Sequence, residues 1–458
     1  MNKVHFIGIG GTGISAIARL LLERGVQVSG TDLQGSPYFD SITNLGAITR
    51  LGHHPDLAIE AELVVRSSAV KEDDPEVQAA LKAGIPVLKR AEFLPQLTAG
   101  YKTLAVAGSH GKTTTTAMLV HLLQSDGLDP SFILGAQIKG QDTNAHAGED
   151  QLFVIEADEY DYMFLGLYPT LSVVTNIDYD HPDFFATPRD YTQAFVDFLE
   201  NTQENSTILL CGDDPGIHNM LTASSYPGRQ LLKYGFEPDN DIHISDYQVR
   251  QDKQEFCLRS PENEKAGPFT IHQPGKFNVL NAAAALAAAH LAGRELGNLT
   301  GALSTFEGTS RRFDLVCEYK NIKVFNDYGH HPTQILQTLE GARQSYPAYE
   351  IWAVWEPHTI SRTRQLGHEF AQALDQADQA VILKLFGARE EDPSFSPAVI
   401  AAGCSRTHCL YLPDNSEAVG HIIRNLTGRD LIIVFSAGKG PEFSQELCSA
   451  INPEGTNE

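Results

Sequence analysis

The stretch Thr103-Leu104-Ala105-Val106-Ala107-Gly108-Ser109-His110-Gly111-Lys112-Thr113-Thr114 decides the fold. Its first half reads as a buried strand, its glycines as a tight turn, and Lys112 onward as the opening of a helix. At such a helix start the free backbone N–H groups and the helix dipole favour phosphate. Lys112 is placed to reach terminal phosphates and Thr113 to offer its hydroxyl to a metal ion. Gly108, Ser109, His110, Gly111 and Thr114 complete the cradle. The loop is shorter than G-x-x-x-x-G-K-[ST], because Val106 stands where that pattern has its first glycine. A flexible glycine turn with a surface lysine is the plain alternative. The strand before and the helix after argue against it.

Downstream, two further apolar runs end in polar clusters. Phe153-Val154-Ile155 leads into Glu156-Ala157-Asp158-Glu159-Tyr160-Asp161, and Leu171-Ser172-Val173-Val174 leads towards Asn176-Ile177-Asp178-Tyr179-Asp180-His181. Acids at a strand's carboxyl end beside a phosphate loop suit Mg2+ bridging nucleotide phosphates. Glu156 and His181 join Thr113 as metal-ligand candidates. Asp178 and Asp180 belong to the same metal or substrate site. The alanine-rich run Ala282–Ala289 is too short for a membrane span and reads as a buried helix.

Upstream, Val4-His5-Phe6-Ile7 precedes Gly8-Ile9-Gly10-Gly11-Thr12-Gly13, a helix from about residue 14 to 24, and a second strand before Asp32. This is a Rossmann-like half, with Gly10, Gly11, Gly13 and Asp32 as candidates for holding the diphosphate of NAD or of a UDP-sugar. Towards the C-terminus the runs at 324–327, 351–354, 380–383 and 431–435 alternate with helical stretches. The first ends at Asn326-Asp327-Tyr328-Gly329-His330-His331-Pro332. The second is followed by Glu356-Pro357-His358 and Ser361-Arg362-Thr363-Arg364. Arginine is the natural carboxylate clamp. The expected fold is therefore α/β in three domains: a Rossmann-like N-terminal domain (1–99), a central domain with a P-loop-type parallel sheet (100–307) and an α/β C-terminal domain (308–458).

Composition narrows the function. With 34 basic and 58 acidic residues the formal charge is −24, which argues against nucleic acid or an anionic membrane surface as partner. The N-terminus runs straight into the glycine loop, so neither a signal peptide nor membrane insertion is expected. The 6 cysteines show no disulfide spacing, which points to a reducing cytoplasm; Cys404, His408 and Cys409 read as a chance cluster in a loop.

Gly-Ser-His-Gly-Lys-Thr-Thr-Thr, Glu-Ala-Asp-Glu, Asn-Ile-Asp-Tyr-Asp-His, Gly-Lys-Phe-Asn-Val-Leu-Asn-Ala, Arg-Arg-Phe and Asp-Tyr-Gly-His-His-Pro occur here in the order found in the Mur ligases, and the chain resembles that family over nearly its whole length. The resemblance implies ATP-dependent, Mg2+-assisted joining of an amino acid to the carboxylate of UDP-N-acetylmuramate through an acyl phosphate. It implies that Asn281 meets the adenine and that Arg312 and Asp327 meet the nucleotide. Tyr328, His330 or His331, His358 and Arg362 would lie near the incoming amino acid. L-Alanine is the expected amino acid, in a monomer or weak homo-oligomer. Thr359 stands where arginine is expected, removing one cation from that site. Tyr160 looks more like the variant that attaches a preformed murein tripeptide, which is the alternative. A nicotinamide-dependent dehydrogenase leaves the second phosphate loop unexplained. A non-catalytic nucleotide-binding protein has no need of the His330 and Arg362 segments.

Overall fold

The computed structural model describes residues 1–250, 253–260, 265–387, 390, 392 and 394–452. The polar tail from Pro453, expected to fray, lies outside the described residues. Three sheets organise the chain. The N-terminal sheet has the order Ile48–Leu51, Gln27–Asp32, Lys3–Ile7, Leu63–Arg66, Val87–Lys89, with every neighbour parallel. Phe6 faces the main core, whereas Ile7 and Val64 face a second cluster on the opposite side, as alternation along a covered strand requires.

In the ten-stranded central sheet the phosphate-loop strand Lys102–Ala107 lies between Leu152–Glu156 and Leu171–Val174, both parallel to it. The register pairs Val106 with Glu156 and Ala107 with Val174. The glycine loop, the acidic cluster and the Asn176–His181 segment therefore leave the sheet side by side at its carboxyl edge. Helix Lys112–Ser125 packs against helix Lys276–Leu291, whose residues Ala282 to Ala289 are at most 1% exposed. A helix buried all round carries no amphipathic stripe, and its run of small side chains lets the two backbones approach closely.

The third sheet runs Asp314–Tyr319, Ile322–Asp327, Asp430–Phe435, Glu350–Trp355, Gln379–Ile382, His408–Tyr411; only its first pairing is antiparallel. Ile351, Ala353 and Trp355 pack on one face, Trp352 and Val354 on the other. Phe435 is paired with both Asp327 and Trp355, so Tyr328 and Glu356 emerge on either side of the last strand.

Several details differ from the sequence reading. Strands Ile48–Leu51, Asp314–Tyr319 and His408–Tyr411 carry mixed, half-exposed side chains with no apolar run to mark them. The central sheet is parallel in its core but antiparallel at both ends, where Ser131–Ile138 pairs Thr143–His146 and strands Ile242–Arg250, Lys253–Arg259 and Ala266–Ile271 form a three-stranded extension. His408 and Cys409 lie in a parallel strand and not in a loop. Cys317 and Cys448, 131 residues apart, are joined in a disulfide, contrary to the expectation of none. Only the packing of the last helix, Gly440–Ile451, against the edge strand Asp314–Tyr319 brings them together.

Candidate active site

The strand–loop–helix at Lys112 takes its form from two glycines in the left-handed region, Gly108 (φ +137°) and Gly111 (φ +81°). A Cβ on Gly108 would stand 2.0 Å from Thr175 Oγ1, and one on Gly111 2.4 Å from Asn281 Oδ1, so neither position has room for a side chain. Lys112 Nζ donates to the Gly108 carbonyl (2.5 Å) and to Glu159 Oε2 (2.7 Å). Burial opposes the lysine's charge, but Glu159, Asp158 and Glu156 outweigh it and hold its pKa above the ordinary value. The Thr113 hydroxyl donates to Glu156 Oε1 (2.9 Å), and the Gly135 amide donates to Glu156 Oε2 (2.6 Å). Burial pushes the Glu156 carboxyl up, partly offset by Lys112. His181 Nε2 approaches Glu159 Oε1 at 3.7 Å. Glu159, only 1% exposed, is thus the hub of this cluster. The sequence reading gave it no role of its own; its place three residues after Glu156 was the available signal.

The adjoining cleft, open to solvent, is lined by Gly111, Thr114, Asn281, Arg312 and Asp327 among others. Asp327 accepts the Gly329 amide (2.7 Å) and the Phe313 amide (2.9 Å), which turns the chain after its strand. Arg311 and Arg312 both stack on the Tyr328 ring, at 5.0 and 4.9 Å.

The two histidines separate in space. His330 packs edge-on against Tyr328 and faces His358, and its Nε2 lies 3.8 Å from Asp180. His331 turns instead to the phosphate loop, its ring 4.8 Å from that of His110. Arg362 is buried: its Nε and a terminal nitrogen grip Asp180 Oδ1 at 2.8 and 2.7 Å, and its other terminal nitrogen donates to the His358 carbonyl at 2.9 Å. Against the opposing effect of burial, Arg362 above all, then His181, holds the Asp180 carboxyl well below the usual carboxylate range. This buried pair ties the C-terminal sheet to the central one. Asp178 and Asp180, read from the sequence as part of a metal or substrate site, are paired here with His110 and Arg362.

At the N-terminal sheet the Gly10 amide donates to Asp32 Oδ2 (2.9 Å), so Asp32 shapes the glycine loop directly. Helix Thr12–Glu23, which opens after Gly11, packs on strands Ser131–Ile138 and Thr143–His146, and Asn144 donates to the Thr12 carbonyl (3.3 Å). Arg90 lies across Gly13, where a Cβ would be 1.8 Å from its guanidinium, and reaches Asp158 at 3.8 Å. No sequence signal links Arg90 to Gly13, because the two meet only through the fold.

Profiles described as Mur ligase family, catalytic domain, Mur ligase middle domain, and Mur ligase, glutamate ligase domain match residues 3–102, 106–289 and 311–438. This chain belongs to the Mur ligase family. As a Mur ligase it is an amide-forming, ATP-dependent enzyme of peptidoglycan precursor synthesis. The fold is shared with UDP-N-acetylmuramate-alanine ligase from Thermotoga maritima (24% identity, 99% of this chain and 100% of that chain, TM-score 0.81). It is also shared with a murein peptide ligase from Psychrobacter arcticus (23% identity, 100% of both chains, TM-score 0.73). The UDP-N-acetylmuramate:L-alanyl-gamma-D-glutamyl-meso-diaminopimelate ligase from Neisseria meningitides is 26% identical, with 67% of this chain and 98% of that chain covered and a TM-score of 0.61. Among the described residues of this Mur ligase no helix is long and apolar enough to cross a membrane.

Proposed function

We propose that this Mur ligase joins L-alanine to the carboxylate of UDP-N-acetylmuramate, through an acyl phosphate formed from ATP. The observation that carries the proposal is the buried Asp180–Arg362 pair, which holds His330 and His358 against the segment that leaves the central sheet next to the phosphate loop. The glycine loop at Gly10–Gly13, with Arg90 across it, is the place for the UDP diphosphate. Lys112 leaves Glu159 to neutralise the terminal phosphate as the carboxylate attacks. The Thr113 hydroxyl and the Glu156 carboxylate are hard oxygen donors of the kind Mg2+ takes, with His181 facing the same cluster. Bound there, Mg2+ would supply charge neutralisation at the phosphates.

Lying 3.0 Å from the Tyr328 carbonyl, His330 Nδ1 must carry the ring proton and donate it, which leaves Nε2 bare and facing Asp180. Nε2 is thus positioned to take a proton from the alanine ammonium, with Asp180 stabilising the cation. Burial, then Arg362, push the His330 pKa down to about 3, so the proton rests there only transiently. The preformed tripeptide is the second reading, favoured by the likeness to the murein peptide ligases. Phosphate release with UDP-N-acetylmuramate, compared across L-alanine, L-serine, glycine and the tripeptide, decides between them. Turnover with the tripeptide alone overturns the proposal.

A further inference from the structure

Gln334 lies in the first turn of helix Pro332–Ser345, just past the Asp327–Pro332 stretch that marks the site in the sequence. Its carboxamide joins two parts of the site. Oε1 accepts the backbone amides of His330 (3.0 Å) and His331 (3.2 Å). Those amides can only donate, so Nε2 is left to donate to His110 Nδ1 in the phosphate loop (3.1 Å). The His110 ring proton therefore sits on Nε2, which donates to Asp178 Oδ2 (3.0 Å). One side chain thus spans from the backbone of His330 to the loop that carries Lys112. A capping-box glutamine accounts for the His331 bond alone. The bonds to His330 and His110 go beyond a cap.

The two ends are held unequally. On the loop side, the His110 amide donates to Asn176 Oδ1 (2.8 Å), its carbonyl accepts from Asn176 Nδ2 (3.0 Å), and its ring is anchored on Asp178. The helix start keeps a second tie to that carboxylate through the Thr333 hydroxyl (2.7 Å). Among the described residues, the His330 and His331 amides have Gln334 as their acceptor. Loss of the carboxamide therefore frees His330 while the loop and the docked helix stay in place. We propose that Gln334 is a positioning residue for the amine-transfer step, fixing His330 at a set distance from the loop where the acyl phosphate forms. This rests on the reading of His330 as the base.

The test separates the two steps in the full chain carrying Gln334→Met, which keeps the side chain's length and loses its bonds. With UDP-N-acetylmuramate and ATP alone, hydroxylamine intercepts the acyl phosphate, giving a hydroxamate and phosphate without a protein base. Hydroxamate formation should match the wild type. Amide formation, measured with L-alanine and in parallel with the tripeptide, should fall about 10–100-fold in kcat, with KM for ATP unchanged. A mere cap would lower the thermal midpoint and leave the ratio of the two rates as it was. Gln334→Glu serves if the methionine variant fails to fold, since it keeps an oxygen for the two amides and removes the donor. Two carboxylates then flank the His110 ring, and NMR of its labelled nitrogens should show a proton on Nδ1, which is bare in the wild type. Equal falls in both steps, an unchanged amide rate, a protonated Nδ1 in the wild type, or a bare Nδ1 in Gln334→Glu overturns the proposal. No hydroxamate from the wild type overturns the acyl-phosphate reading, and this proposal with it.

Discussion

Lys112 shows how a single residue differs between its pattern and its surroundings. A lysine after a glycine loop reads as a mobile point charge, but its ammonium is held between the Gly108 carbonyl and the buried Glu159 carboxylate. Lys112→Ala is expected to lower turnover by about 10²–10³, the cost of removing one preorganised electrostatic contact. It also strands Glu159, and breaking a buried pair costs about 3–5 kcal/mol. Phosphate release and urea unfolding measure the two effects separately. Adding Glu159→Gln should restore stability without restoring turnover, and near-normal turnover of Lys112→Ala would remove the lysine from the mechanism. Glu156, Thr113 and Lys112 were legible because residues a few positions past a strand stay at its carboxyl end. Arg90 beside Gly13 and Arg362 on Asp180 were not, since nothing local encodes which distant carboxylate or glycine an arginine will meet.

At the scale of the element, turns and caps carry the site. Gly111 caps helix Lys112–Ser125 in a left-handed conformation against Asn281. Gly111→Ala is expected to cost about 1–2 kcal/mol in backbone strain alone. The clash with Asn281 adds to it and should push that side chain into the cleft. ATP binding by calorimetry should weaken, and unchanged affinity would show that the cleft tolerates the shift. Thr359 caps the short helix Ile360–Gln365, accepting from the Arg362 amide at 3.5 Å, and is itself buried. Its first task is thus to orient the turn that carries Arg362. Thr359→Ala should cost about 1 kcal/mol in stability and raise KM for the amino acid, and Thr359→Ser, which keeps the hydroxyl, should restore both. A KM unchanged in Thr359→Ala would separate the cap from amino-acid binding. The strands named from their apolar runs recur with ends shifted by a residue or two, whereas the equally apolar core strand Thr207–Cys211 was passed over. Half-exposed edge strands were missed, because only their neighbours' backbones define them.

Over the whole molecule, three neutral histidines sit where the C-terminal sheet meets the central one. Burial first, then Arg362 for His330 and His358 and His110 for His331, push their pKa values down to about 3, 4 and 4. In the unfolded chain they titrate near about 6.5. Between those values the unfolded state binds more protons, so stability rises with pH there, is fully present above about 6.5, and is lost as pH falls towards 4. Asp178, held at about 2 by His110 and its neighbours against burial, adds a loss of the same sign at lower pH still. The thermal midpoint should therefore be flat from pH 7 to 8 and fall below about pH 6.5, with a shallower slope in His330→Gln. An unchanged slope in that variant would exclude His330 from the effect. The sequence by itself determined the order of strands, phosphate loops and acid clusters, and with it the family, because these are local patterns set by period, glycine and charge. Only the tertiary structure decided that Glu159 receives Lys112, that Asp180 receives Arg362, that His330 and His331 face different partners, and that Cys317 meets Cys448. Each of these is a contact between distant segments, formed where separate sheets and helices pack together.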